Sequence, residues 1–214
     1  MSCAKINRID CIEYIVPMLA EKNKQYKQSP LIFQVAEEMY EEGYYEAAIK
    51  IYEYNISLAS MRLSLNVAIS YYKLLKMTDL ESQKSFEIML QFLPYRTHLP
   101  EEFLLDSLML ILNTYAVRNK WSEVEQYAEE LRILVDDLYS KKKWKSSDFH
   151  LIRPLVYYYG QSRLYKSVSF EEREMLDQFK EWIVTYEDLS WFEGLNDEGK
   201  EEVEYLELLQ MVIN

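Results

Sequence analysis

Between Leu31 and Tyr54 the chain reads LIFQVAEEMYEEGYYEAAIKIYEY, and six of its residues alternate in size at a fixed spacing. Ala36, Met39, Gly43, Tyr45, Ala48 and Tyr52 stand at offsets 0, +3, +7, +9, +12 and +16. Small side chains at Ala36 and Ala48 let two antiparallel helices approach closely. Gly43 is suited to the left-handed backbone that ends the first helix. Tyr45 and Tyr52 are then expected to fill the groove between this hairpin and its neighbour.

Composition agrees with helices. The 214 residues hold only Gly 4 and Pro 5, too few for the many tight turns of a sheet protein. A hydrophobic content of 49% is that of a folded chain, long enough for one core or for a short array of hairpins. Tyr 19 is the oddest number; an apolar ring with a polar tip suits helix interfaces and half-wet groove walls.

The six offsets are those of a tetratricopeptide repeat (TPR), whose period predicts further units along the chain. A degenerate second unit spans 61–92: Ile69 and Tyr72 take the small and large places, the turn falls near Met77 to Asp79, and Phe86 follows Tyr52 by 34 residues. Its turn reads one residue longer than the pattern. In the third unit, 101–139, Leu112, Tyr115, Asn119, Trp121, Val124 and Ala128 reproduce all six offsets, with asparagine in the left-handed place. Pro94 and Pro100 bracket the connector FLPYRTHLPEE between these units, and Pro100 opens the next helix. A fourth unit, 154–187, is inferred from periodicity: Pro154 opens its first helix, and a second runs from about Glu171 to Tyr186. Tyr157, Tyr158 and Tyr159 cannot share one helix face, so at least one belongs to the core. A break at Trp191–Leu195 precedes a terminal helix over 197–213, and a lone amphipathic helix is expected at 10–24. The expectation is an all-α chain: one continuous domain over 1–214, a TPR-like right-handed superhelix of antiparallel hairpins.

The formal charge of −12 repels phosphate backbones, which argues against direct nucleic-acid binding. Lys141, Lys142, Lys143 and Lys145 form a basic loop that either answers a helix dipole or meets an acidic partner. Cys3 and Cys11 have no histidine near them and form no metal pattern or disulfide framework. Charges interrupt the first residues, and the longest apolar stretch, Leu104 to Val117, is too short and polar to span a bilayer. These readings predict a cytoplasmic protein without a membrane segment. His98 and His150 are isolated, and no nucleophile elbow, phosphate-cradling loop or dinucleotide fingerprint occurs. No catalytic residues, metal or cofactor are therefore expected.

A repeat array offers a concave face lined by the first helix of each hairpin. Groove positions at −3, +1 and +4 from the small residue are Phe33, Glu37 and Tyr40, then Asn66, Ser70 and Lys73, then Met109, Asn113 and Ala116. The carboxamides of Asn66 and Asn113 can grip an extended peptide backbone, or be ordinary exposed polar groups. Arg118 and Arg153 are candidates for a peptide carboxylate. Tyr40 and Lys73 complete the candidate ligand-binding set.

FLPYRTHLPEE at 92–102, NTYAVRNKWSEVEQYAEEL at 113–131 and YEDLSWFEGLNDEGKEEVE at 186–204 resemble a family of Gram-positive bacterial transcription regulators. Those proteins carry an N-terminal helix-turn-helix followed by a TPR region, a plan similar to that of peptide-pheromone sensors. The resemblance covers roughly residues 30 to 205, and DLSWFEGL is its most specific part. It implies a sensor and homodimerisation region whose groove takes a short peptide or protein segment. Met1 to Gln28 has no room for a helix-turn-helix, so DNA binding is not carried over to these residues. The alternative is a TPR scaffold that holds protein partners and takes no small ligand.

Overall fold

The computed structural model describes residues 30–58 and 64–213. The helix expected at 10–24, both cysteines and the start of the 61–92 unit lie outside them. Among the described residues every regular element is helical. The chain divides into two compact units, 1–99 and 100–214, where the sequence predicts one continuous domain.

The N-terminal unit carries α1 (Pro30–Glu41), α2 (Tyr45–Leu58), α3 (Leu65–Met77) and α4 (Gln83–Phe92). Each packs on the next, and α1 also touches α3. The C-terminal unit carries α5 (Glu101–Ala116), α6 (Trp121–Ser140), α7 (Leu155–Glu171), α8 (Leu176–Ile183) and α9 (Asp197–Ile213), with a 3-10 turn at Lys143–Lys145. Here α5 to α8 also pack in succession, and α9 lies on α7.

One turn recurs. Gly43 has φ 82°; its N–H bonds the Tyr40 carbonyl at 3.1 Å, and the Tyr44 N–H reaches Met39 at 2.8 Å. Paired bonds of this kind close a helix through a left-handed residue. Asn119 (φ 53°) repeats them between α5 and α6, to Ala116 at 2.9 Å and from Lys120 to Tyr115 at 3.1 Å. Glu174 (φ 59°) repeats them between α7 and α8, to Glu171 and from Met175 to Phe170, both at 2.9 Å. Counting back from Glu174, buried Ser167 and Phe170 stand where Ala36 and Met39 stand before Gly43. The fourth hairpin thus has the same register, although α7 runs to Glu171 and its partner begins only at Leu176. The expected start of that helix near Glu171 is corrected accordingly.

The α3–α4 turn differs. Thr78 is extended, Ser82 caps α4 by accepting the Ser85 N–H at 3.0 Å, and no residue from 78 to 82 is left-handed. Five residues separate the helices, against three between α1 and α2 and four between α5 and α6, so the turn is longer than these by two residues and by one. The register moves with it. Ala68 and Ser85 are fully buried, while Ile69 and Phe86, expected in those places, are half-buried.

Ala36, Met39, Ala48 and Tyr52 are buried as their sizes predict. Tyr45 is not: it is 53% exposed and packs edge-on against Tyr40, ring centres 5.5 Å apart. As the first residue of α2 its side chain leans toward the helix N-terminus, over the turn and away from any neighbouring hairpin. Of the three adjacent tyrosines, Tyr158 is the fully buried one. At Gly160 α7 and α9 come so close that a Cβ would stand 2.2 Å from Leu206 Cδ1.

Candidate functional site

Of the six candidate groove residues, Tyr40 and Lys73 come together. Lys73 Nζ sits 3.7 Å above the Tyr40 ring and 3.6 Å from Glu37 Oε2. Glu37 also accepts the Tyr52 hydroxyl, and burial, followed by that carboxylate, pushes the Tyr52 hydroxyl far above its ordinary value. Asn66 is half-buried; its carbonyl accepts from Ser70 Oγ at 2.7 Å, and its carboxamide has no partner among the described residues. Ser70, expected in the groove, is instead fully buried, where its hydroxyl receives Asn55 Nδ2 at 2.9 Å.

The other three are in the C-terminal unit and are bonded within it. Asn113 Oδ1 accepts the Tyr165 hydroxyl, which burial pushes up to about 12. Arg118 Nη1 donates to the Thr114 carbonyl at 2.9 Å, at the end of its own helix. Arg153 Nη1 meets Glu202 Oε1 at 3.1 Å and lies over the Tyr157 ring. The basic loop is paired in the same way. Lys141 meets Asp137 at 2.8 Å, Lys143 meets Glu101, and Lys142 and Lys145 meet Glu193 at 3.6 and 2.6 Å. Hydrogen bonding from Lys145 holds the Glu193 carboxyl below its ordinary value.

Two features of the C-terminal unit escaped sequence reasoning. The first is a charged seam between α6 and α7. Asp136 pairs with Arg163 at 2.8 Å, Glu129 with Lys166 at 2.5 Å, and Glu125 with Arg173. Arg132 bridges Glu129 and Asp136, at 2.6 Å to each. Arg163 and Lys166 are buried, and Lys166 Nζ rests 4.0 Å above the Trp182 ring. The Arg132 hydrogen bond, aided by Lys166, holds the Glu129 carboxyl down at about 2 against desolvation. The sequence signal was the spacing of Glu125, Glu129, Arg132 and Asp136, which places them on one helix face.

The second is an aromatic corner. Tyr139 on α6 stacks on Trp144 in the 3-10 turn at 6.2 Å and lies 4.4 Å from Phe192. Tyr159 on α7 meets Trp191 at 5.6 Å and Phe192 at 5.3 Å. Gly194 (φ 77°) lets the Trp144 ring lie where a Cβ would be only 2.3 Å away. Beside this contact is a half-open hollow of about 150 Å³, lined by Trp144, Leu151, Leu155, Val156, Phe192 and Leu195 and by the polar residues Glu193 and Asn196. The Trp144 indole nitrogen is buried and has no hydrogen-bond partner among the described residues. Three of the apolar walls belong to loops, where hydropathy carries no period; only the FEGL run, 192–195, had drawn notice.

Among the described residues no group of three or more His, Cys, Asp or Glu could hold a metal ion, and no helix is long and apolar enough to cross a membrane. The chain matches no family model, no curated protein and no solved structure.

Proposed function

We propose that this chain is a regulatory binding module, not an enzyme, that takes a short peptide or protein segment. In the fuller form of the proposal it is the cytoplasmic sensor and homodimerisation region of a transcription regulator, with TPR-like hairpins. The observation that supports this reading is the recurrence of one turn at Gly43, Asn119 and Glu174. It sets successive helices in antiparallel pairs, the plan on which peptide-binding repeat arrays are built. Ligand binding would act by favouring one packing of the hairpins over another.

A scaffold that holds protein partners and no small ligand is the second reading. It is favoured by the bonding of Lys73, Asn113, Arg118 and Arg153 within the chain, which leaves Asn66 as the candidate whose carboxamide has no partner among the described residues. Thermal unfolding with a pool of short peptides separates the two. A sensor gains thermal stability from the pool and loses that gain in Asn66→Ala or Asn113→Ala. A scaffold ignores the pool and retains a protein partner in both variants. If the chain shows neither behaviour, the module reading fails.

A further inference from the structure

In the C-terminal unit α9 buries one face and leaves the opposite one open to solvent. Val203 and Leu206 are buried, and Leu206 reaches the α7 backbone at Gly160, so theirs is the face that meets α7. Tyr205 and Leu208 point the other way, 51% and 61% exposed, one helical turn apart. Single exposed apolar side chains are ordinary, but two in register on successive turns make a ridge against which a second helix can pack. Glu201 and Glu204 stand four residues before Tyr205 and Leu208, so the four share one face at the spacing i, i+3, i+4 and i+7. Both carboxylates are exposed and have no cationic partner among the described residues, whereas Glu202 is held by Arg153 at 3.1 Å and Asp197 by Lys200 at 3.2 Å.

The sign and order of that face select its occupant. α9 carries six carboxylates against Lys200, on a chain of net charge −12. A second copy fits badly in either direction. In parallel, two such faces would set carboxylate on carboxylate; antiparallel, they would press Glu201 and Glu204 onto Leu208 and Tyr205. Either arrangement takes unpaired charge out of water. A helix with lysine or arginine one turn from its own apolar residues meets both halves of the face.

We propose that α9 docks a cationic amphipathic helix of a partner protein, its apolar residues on Tyr205 and Leu208 and its basic residues on Glu201 and Glu204. The proposal rests on the binding-module reading above and names the class of segment that the module takes.

The probe is a capped peptide of about 18 residues, long enough to hold a helix, with leucine on one face and lysine on the other. Two controls match its length: the same composition in an order that scatters the leucines, and the amphipathic order with glutamate for lysine. Titrated into the full chain and followed by amide resonances, the probe should bind saturably with its shifts concentrated in α9, and neither control should. In Tyr205→Ala/Leu208→Ala affinity should fall about tenfold or more, as when the anchors of an interface are cut back. Glu201→Gln/Glu204→Gln should weaken binding several-fold at low salt and flatten its salt dependence. All four side chains face solvent, so both variants should keep the helical content of the parent.

No saturable binding, equal binding of the scattered control, or parent affinity in Tyr205→Ala/Leu208→Ala overturns the assignment. So does a chain that sediments as a dimer and becomes monomeric in that variant, because a second copy then covers the face. If the probe fails while the peptide pool stabilises the chain, α9 is not the docking surface and the binding-module reading stands. If the probe docks as expected while the pool is inert, the surface holds and the short-peptide form of that reading gives way to the scaffold.

Discussion

The α2–α3 seam and the α6–α7 seam each join one hairpin to the next inside a unit, and they do so by opposite chemistry. The first is neutral: Asn55 donates to Ser70, and Ser70 donates to the Asn66 carbonyl. Each group satisfies the next in place of water, and no counter-charge is needed. The second sets Glu125, Glu129 and Asp136 against Arg173, Lys166 and Arg163, with Arg132 tying two of the carboxylates together. Charges taken from water repay their desolvation only when the partner is in place, so this seam is sensitive to the loss of either partner. The Asn55–Ser70–Asn66 relay holds no group that titrates in acid, although the Glu37 carboxylate beside it meets Tyr52 and Lys73, whereas the second seam is built of carboxylates.

The largest effect is expected at Glu129. Glu129→Ala strands the buried Lys166 and should cost the C-terminal unit about 2–3 kcal/mol, the usual loss for one partner of a buried pair reduced for a carboxylate one-third exposed. Urea unfolding followed by amide exchange should show the loss in α6 and α7, with α2 and α3 unaffected. A change near zero would mean that the seam is effectively solvated. Replacing Glu129 and Lys166 together by methionine should leave stability unchanged or raise it.

Acid should discriminate between the seams next. The Glu129 carboxyl titrates lower in the folded chain than in the unfolded one, so its contribution is complete above about pH 4.5 and is lost as pH falls toward about 2. Protection of α6 and α7 amides should decline over that window, and the decline should shrink in Glu129→Gln. An equal decline in α2 and α3 would erase the distinction drawn here.

The turn common to both units gives a matched pair of smaller effects. Gly43→Ala forces a Cβ into left-handed backbone with nothing within 4 Å to crowd it, so the cost should be backbone strain alone, about 1 kcal/mol. Glu174→Gly relieves the same strain and should stabilise by about 1 kcal/mol in thermal unfolding. Smallest is Asn55→Ala, about 0.5–1 kcal/mol in chemical denaturation, because Ser70 keeps its bond to Asn66.

The helices were legible where spacing and turn chemistry agreed. Gly43 and Asn119 are residues that tolerate left-handed backbone, and each was found by the small and large side chains placed before it. Glu174 does the same job with a residue that gives no such signal, and Ser167 and Phe170, not the three adjacent tyrosines upstream, hold the register. The α3–α4 register slipped because a serine-capped turn replaced the left-handed one, and its length is not encoded in hydropathy. The candidate groove fared less well. Groove positions can be counted from a repeat, but their hydrogen-bond partners come from other elements: Tyr165 for Asn113, Glu202 for Arg153. The cavity was the least legible, since its walls come from stretches about 40 residues apart that only the folded chain brings together.

The basic loop has a kinetic consequence. Lys141, Lys142, Lys143 and Lys145 lie beside three carboxylates, Asp137, Glu101 and the shared Glu193, so at a distance most of their charge is offset and the chain presents the field of its net −12. A cationic partner approaching from solvent would be steered toward it, with an encounter rate that falls as salt shortens the Debye length. An anionic one would be slowed even on a path toward the lysines.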